Sequence, residues 1–344
     1  IERDARYLTD VIFEGGLKFL DAQAEGDAPF YLGIHTTAPH SPWREGEHPR
    51  DLVELYADCP FDTCPTRPRS HPWQINSAPR GTGEKRRELL SGYYGAITGV
   101  DRGVGQVLDK LEAMGILDNT LFIFTSDNGM NMGHHGIWGK GNGTFPQNMY
   151  DTSVKVPALM ARPGHLPEGI VVDHLLSHYD VMPTLLDYLG FDHPEAEALP
   201  GRSFAPLLRD EELAERDHVV VFDEYGPVRM IRNREWKYVH RYPYGPHELY
   251  DLVNDPGEER NLVHDPNQAS RVVEMEGALE AWFDRYADPE VDGTKEPVTG
   301  KGQIELAGVR GEGRRAFEDD WWYIDEEGHR REDKTFWLGE IVEG

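Results

Sequence analysis

The chain has 344 residues, with 62 acidic against 35 basic side chains and a formal charge of −27. That length suggests about two structural units, and 38% apolar with 10% aromatic residues supplies enough material for packed cores, which excludes wholesale disorder. The acidic balance argues against nucleic acid as a partner, no apolar run of about 18 residues is present to span a membrane, and two cysteines, Cys59 and Cys64, cannot make a disulfide scaffold.

The first residues, Ile1-Glu2-Arg3-Asp4, show no initiator Met, basic region or apolar region, so the sequence is expected to begin partway through a longer one. From Tyr7 to Ala24, apolar residues at 8, 11, 12, 19 and 20 predict a helix interrupted by Gly15-Gly16. Residues 29–37 form a β-prone run without polar alternation, as expected of a strand covered on both faces. Residues 38–80 are rich in Pro, His, Arg and Asp and predict a long loop, of the kind that carries function.

A second helix is predicted over 88–114, with one face made by Leu90, Tyr93, Tyr94, Ile97, Val100, Val104, Val107, Leu108 and Leu111 and with Gly115 as C-cap. Residues 121–124 read as a buried strand ending in Thr-Ser-Asp-Asn-Gly, and 156–160 as another. Ser177 caps a helix over 178–189 that ends at Gly190. Strands alternating with helices to this point predict a largely parallel α/β sheet.

The pattern then changes. Short strands over 218–222, 228–232, 236–240 and 248–251, with a hairpin turn at 232–235, predict a small antiparallel sheet, closed by a helix over 274–286. The division expected is 1–210 for an α/β domain, 211–290 for the antiparallel subdomain and 291–344 for an extension with scattered aromatics such as Trp321-Trp322-Tyr323 and Phe336-Trp337.

In open α/β sheets the chemistry gathers beyond the carboxyl ends of strands. One such end runs into Ala38-Pro39-His40-Ser41-Pro42, the other into Asp127-Asn128-Gly129, then Gly133-His134-His135-Gly136 and Trp138-Gly139-Lys140. Asp and Asn offer oxygens to a hard divalent cation, Lys140 a cation for an anionic substrate, and the histidines proton transfer. Taken singly, Asp-Asn-Gly is a turn, His40 a loop residue and Lys140 a surface lysine. Taken together they suggest metal-assisted work on a sulfate or phosphate ester.

Thr125-Ser-Asp-Asn-Gly129, Gly133-His-His-Gly136, Trp138-Gly-Lys140 and Val156-Pro-Ala-Leu159 resemble, in order and spacing, the formylglycine-dependent sulfatases of the alkaline phosphatase-like superfamily. Ala38-Pro-His-Ser-Pro42 resembles that family's A-P-H-x-P, and residues 180–186 its D-[IVL]-x-P-T-[LI]-L helix. Arg232 with Trp236-Lys-Tyr238 resembles R-x-x-x-W-K-Y, and residues 248–262 resemble E-L-Y-D-L-x-x-D-P-x-E-x-x-N-L. The resemblance implies an alkaline phosphatase-like mixed sheet flanked by helices, with a small C-terminal antiparallel sheet, and a sulfuric ester hydrolase acting on a carbohydrate sulfate.

On the same resemblance, Asp127 and Asn128 are metal ligands for one divalent cation, Ca²⁺ in most of the family. Lys140 contacts the sulfate, His40 does the same or protonates the departing alcohol, and His135 lies in or near the pocket. His134 stands where the family has Glu. Selectivity is expected in Trp43-Arg44 and in the tail beyond Asp288. The implied partner is a small-molecule or carbohydrate sulfate ester; a periplasmic or secreted location follows from the resemblance alone, and oligomeric state is left open.

The formylglycine cassette, C/S-x-P/A-S/T-R, is not matched by Cys59 or by Cys64-Pro65-Thr66-Arg67, and the family's early Asp pair is also unmatched. Two oxygen ligands are too few for Ca²⁺. The chain is therefore expected to be the C-terminal part of a sulfatase, inactive alone. The alternatives are a phosphonate or phosphate ester hydrolase of the same superfamily and a non-catalytic binding protein.

Overall fold

The computed structural model describes residues 6–294, apart from 25, 27, 45, 68, 76, 193–197, 224–226 and 243–244, together with the backbone of 323–324 and 330–331. The expected 291–344 extension therefore lies outside the described residues except for 291–294 and those two backbone pairs. Two compact units emerge among the described residues: 6–139 with Val156–His165, and Lys140–Lys155 with 166–294. Residues 140–155 and 166–210 thus group with the small sheet, whereas the sequence reading placed them with the α/β part.

The first unit contains α1 (Leu8–Gln23), α2 (Arg50–Glu54), α3 (Gly83–Ala113), β1 (Phe122–Thr125), β2 (Asn131–Met132), β3 (Trp138–Gly139) and β4 (Ala158–Ala161). The core lies between α1 and α3, where Phe13 and Leu20 meet Val100, Val107 and Leu111. Each such side chain withdrawn from water contributes about 1.5–3 kcal/mol. The approach is close because α3 presents glycines: a Cβ at Gly103 would sit 2.1 Å from the Phe13 ring, and one at Gly92 would sit 2.1 Å from the Trp43 carbonyl oxygen. The face buried is therefore not quite the one expected, since Gly92, Gly95, Gly99 and Gly103 are buried while Ile97 is exposed. Small residues turn inward where another backbone must pass.

α3 starts five residues before its predicted beginning. Its first turn has no apolar period to reveal it, and is held instead by side chains: Lys85 pairs with Glu88 at 2.8 Å, and Arg87 donates to the carbonyls of Ala57 (2.9 Å) and Cys59 (3.0 Å). α2 lies in the stretch expected to be wholly loop; Leu52 and Val53 pack beside Gly95 of α3. Gly115 ends α3 with φ +70°, as expected.

β1 pairs with β4 antiparallel, Phe122 opposite Ala161 through Thr125 opposite Ala158. The expected parallel pairing is not seen among the described residues, and 29–37 joins no ladder there. A strand needs a partner for its backbone groups; these residues instead send Phe30, Leu32 and Ile34 onto the α1–α3 core.

The second unit contains α4 (Asp151–Val154), α5 (Val181–Leu189), α6 (Ala205–Leu208), β5 (Val219–Phe222), β6 (Val228–Arg232), β7 (Trp236–Arg241), β8 (Glu248–Asp251) and α7 (Ala269–Tyr286). The four strands form an antiparallel sheet in the order β5-β6-β7-β8. The hairpin turn is set by Asn233, whose Oδ1 accepts from the amides of Glu235 (2.8 Å) and Trp236 (2.7 Å). Ser177 makes the expected cap, its amide donating to Asp180 Oδ2 at 2.8 Å, and Gly190 ends α5 with φ +75°.

Both faces of this sheet are covered, which its sequence does not announce. Ile231, Tyr238 and Leu249 pack on Met275, Leu279 and Phe283 of α7. On the other face Val228, Met230 and Val239 pack on Met149, which brings the 140–155 segment against the sheet. Alternation along β7 follows from the pleat: Trp236 and Tyr238 turn to α7, while Lys237, Val239 and Arg241 turn to the segment that begins at Lys140.

Candidate active site

His40 follows the 31–37 segment, its amide donating to the Thr37 carbonyl at 2.9 Å. The imidazole is exposed, with Nδ1 2.9 Å from the Ser41 carbonyl oxygen, which leaves Nε2 for a ligand. The turn is anchored by Trp43, 1% exposed, whose indole donates to the Pro39 carbonyl at 2.8 Å and whose ring meets Tyr93 edge-on. Trp43 is thus a core residue, not the selectivity element expected: a large apolar ring next to α3 is worth more buried than wet.

Asp127 and Asn128 sit just past β1, where Thr125 Oγ1 donates to the Pro157 carbonyl at 2.9 Å. Asp127 Oδ1 accepts from the Asn128 amide at 2.9 Å, and Asn128 Nδ2 donates to the Gly129 carbonyl at 2.9 Å. Both side chains keep oxygens available, and the donor set suits a hard cation. Among the described residues no group of three or more His, Cys, Asp or Glu is arranged to hold a metal. The pair fits as part of a site.

His134 and His135 occupy the loop between β2 and β3. This loop is knotted by backbone: Gly133 N–H donates to the Ile137 carbonyl (2.8 Å), Ile137 N–H to the His134 carbonyl (2.8 Å), and His135 itself has a left-handed φ of 53°. A non-glycine residue in that region costs about 1–3 kcal/mol and persists only where its surroundings hold it. The 61–74 segment braces the loop from outside. A Cβ on Gly133 would lie 2.2 Å from the Pro65 carbonyl oxygen, and one on Gly136 would lie 2.6 Å from that of Arg69. Gln74, 4% exposed, accepts from the Trp138 amide at 2.8 Å and donates to its carbonyl at 3.0 Å. Burial holds His134 below the usual histidine range despite its backbone contact at Thr63, with nearby Arg67 adding to the depression. A neutral imidazole therefore stands where the family carries a carboxylate.

Lys140 belongs to the second unit and opens a segment whose carbonyls are capped by side chains. Asn148 Nδ2 donates to the carbonyls of Lys140 and Gly141, each at 3.1 Å, and its Oδ1 accepts from Ser153 Oγ at 2.6 Å. The Lys140 backbone is pinned and its side chain is half-buried. The structure thus places His40, Asp127, Asn128 and His135 in one unit and Lys140 in the other. Gln74 and Asn148 were missed, because a single Gln or Asn in a loop carries no sequence signal.

Two adjacent oxygen donors, imidazoles at His40 and His135 and an ammonium at Lys140 are the chemical groups of a metal-assisted ester hydrolase. The family profile "Sulfatase" matches residues 2–191, and the profile "N-sulphoglucosamine sulphohydrolase, C-terminal" matches residues 133–284. The chain belongs to the sulfatase family. It is 28% identical to an ulvan-active sulfatase of Formosa agariphila over 80% of this chain and 52% of that protein. It is 31% identical to the choline-sulfatase of Rhizobium meliloti over 77% of this chain and 53% of that protein. The chain spans about half the length of these curated relatives. Its fold is similar to a solved structure described as a complex with its substrate D-glucosamine-2-N,6-O-disulfate, with a TM-score of 0.70 at 21% identity over 84% of this chain and 72% of that one. That likeness bears out the expected fold, helices with sheet and a small C-terminal antiparallel sheet. No helix among the described residues is long and apolar enough to cross a membrane.

Proposed function

We propose that this chain is part of a sulfuric ester hydrolase acting on a carbohydrate sulfate. The observation that carries the reading is the family match with Asp127, Asn128, His135 and Lys140 at the positions where the sulfatase motifs carry ligand and sulfate-binding residues. An ulvan-active sulfatase among the relatives, and a disulfated glucosamine named as substrate in the structural neighbour, support the carbohydrate class.

In this reading Lys140 holds the sulfate through its ammonium. His40 contacts the sulfate or gives a proton to the departing alcohol oxygen, which gains negative charge as the ester breaks. Asp127 and Asn128 are two of the oxygen ligands of a divalent cation, Ca²⁺, which when bound polarises the sulfate oxygens. The formylglycine nucleophile and the remaining metal ligands come from sequence outside these 344 residues, in which neither cysteine fits the cassette, so the chain by itself does not turn over.

The test compares the chain alone with a form carrying the rest of its coding sequence, produced with the formylglycine-generating enzyme. Both are assayed on aryl and carbohydrate sulfates and on phosphate and phosphonate esters. Turnover of sulfates by the longer form alone, abolished by chelation and restored by Ca²⁺, is expected. Equal turnover by both forms would overturn the incompleteness. Preference for phosphonates, or no activity on any ester, would overturn the sulfatase reading in favour of the rival hydrolase or the binding protein.

A further inference from the structure

The second unit buries charged side chains under the segment that starts at Lys140. Lys237 is 0% exposed; its ammonium donates to the Met149 carbonyl at 3.0 Å and to Asp151 Oδ1 at 2.5 Å, and it forms an ion pair with Glu258 Oε1 at 2.5 Å. Arg232 takes both oxygens of Asp151, at 3.0 and 2.8 Å. Glu258, a non-glycine residue at φ 54°, accepts from the Asp151 amide through Oε2 at 2.6 Å. Four residues further along β7 and on the same face, Arg241 donates to the Gln147 carbonyl through Nε (3.2 Å) and Nη2 (2.9 Å) and pairs with Glu248 at 3.0 Å. Lys237, Arg232 and Arg241 face Asp151, Glu258 and Glu248, and the exposed Lys155 lies 3.8 Å from Asp151.

The acceptors that these cations reach are the informative part. The 140–150 segment makes no strand ladder, so its carbonyls need other donors. Those of Lys140 and Gly141 go to Asn148, that of Gln147 to Arg241 and that of Met149 to Lys237. Stability alone does not explain this choice, because a buried ion pair is often no more stabilising than apolar residues of the same volume. Directional donors do what a methionine at 237 would not: they hold a particular carbonyl at a particular place.

We propose that Lys237, with Glu258 and Asp151, is a positioning device for Lys140. The small sheet clamps the far end of the loop at Met149–Asp151, Asn148 carries that constraint back to the carbonyls of Lys140 and Gly141, and the ammonium of Lys140 is thereby aimed. The link to catalysis rests on the reading of Lys140 as the sulfate ligand. The small sheet is, on this account, a support for the binding lysine as well as a fold element.

The test uses Lys237→Met combined with Glu258→Gln, which removes one cation and one anion and leaves the Arg232–Asp151 pair intact. In the 344-residue chain, hydrogen exchange is followed at the amides of Gly143 and Asn148, bonded to the carbonyls of Lys140 and Gly141 at 2.8 and 3.1 Å, and at the β6–β7 ladder. Exchange at the two loop amides is expected to rise about tenfold or more while the ladder stays within about twofold. In the longer, formylglycine-bearing form, kcat/KM for an aryl sulfate is expected to fall about 10²-fold, chiefly through KM, as a small misplacement of a binding group requires.

Unchanged loop exchange overturns the proposal, and so does equal loosening of loop and ladder, which is mere destabilisation. A loosened loop with unchanged kcat/KM overturns the link to Lys140. Absence of sulfate turnover in the unsubstituted longer form would instead sink the functional reading, with the exchange measurement still deciding the clamp.

Discussion

Two of the loops that carry candidate site residues are held by different physics. The 133–138 loop is fixed by neutral contacts: glycines against passing carbonyls and the Gln74 amide bridging Trp138. The 140–151 segment is fixed by buried ions reaching across about 90 residues of sequence, from Lys237 and Arg241 to Met149 and Gln147. A glycine contact is indifferent to pH and salt but tolerates no side chain. An ion cluster tolerates balanced replacement but not the loss of one partner. The loop that opens at Lys140 is the one held by directional donors.

The largest effect expected is on activity. Lys140→Ala in the longer, formylglycine-bearing form should lower kcat/KM for an aryl sulfate by about 10²–10³-fold, the range for losing one preorganised group on a charged transition state. The unfolding midpoint should be unaltered, since only the Lys140 backbone is bonded to the clamp. A loss below about fivefold would remove Lys140 from the site.

Next comes Gly133→Ala, which meets both a φ of +106° and the Pro65 carbonyl at 2.2 Å. A loss of about 3 kcal/mol by urea titration is expected, with no such loss at Gly105, where nothing lies within 4 Å of an added Cβ. Gln74→Leu is expected to cost about 2 kcal/mol, because it strands the buried Trp138 amide and carbonyl. A neutral outcome at Gln74 would mean that the glycine contacts suffice to hold this loop.

The smallest effect is acid sensitivity, and it should separate the small sheet from α3. His240 is pushed down to about 3 by burial, with His247 and Arg229 adding to it, among Tyr238, Tyr242 and Glu276. Burial also lowers His247 and His218. A histidine with a folded pKa below its unfolded value of about 6.5 binds protons more readily in the unfolded chain. The stability it contributes is complete above about pH 6.5 and is lost as pH falls toward the folded value. Exchange protection in β6–β8 should therefore weaken between pH 7 and pH 5 more than in α3, and His240→Phe should flatten that dependence. An equal response of both would remove the distinction.

Much of the layout was legible in the residues, for identifiable reasons. α1, α5 with its Ser177 cap and Gly190 stop, β1 and the β5–β8 meander announce themselves through period and turn chemistry, which are local properties. The family could be read from ordered short motifs, because chemistry at strand ends tolerates few residue types. What escaped was non-local. α2 and the first turn of α3 lack a sustained apolar period and are held by partners elsewhere in the chain.

By itself the sequence determined the family, α1, β1, α5 and the β5–β8 meander, because period, turn residues and short motifs are written residue by residue. Tertiary structure alone decided that Trp43 is buried, that the inner face of α3 is its glycine face and that Lys237 lies under the Lys140 loop. Burial and pairing depend on what the rest of the chain brings alongside. A lysine in a Trp-Lys-Tyr strand looks like any solvated lysine until two carboxylates and a carbonyl close over it.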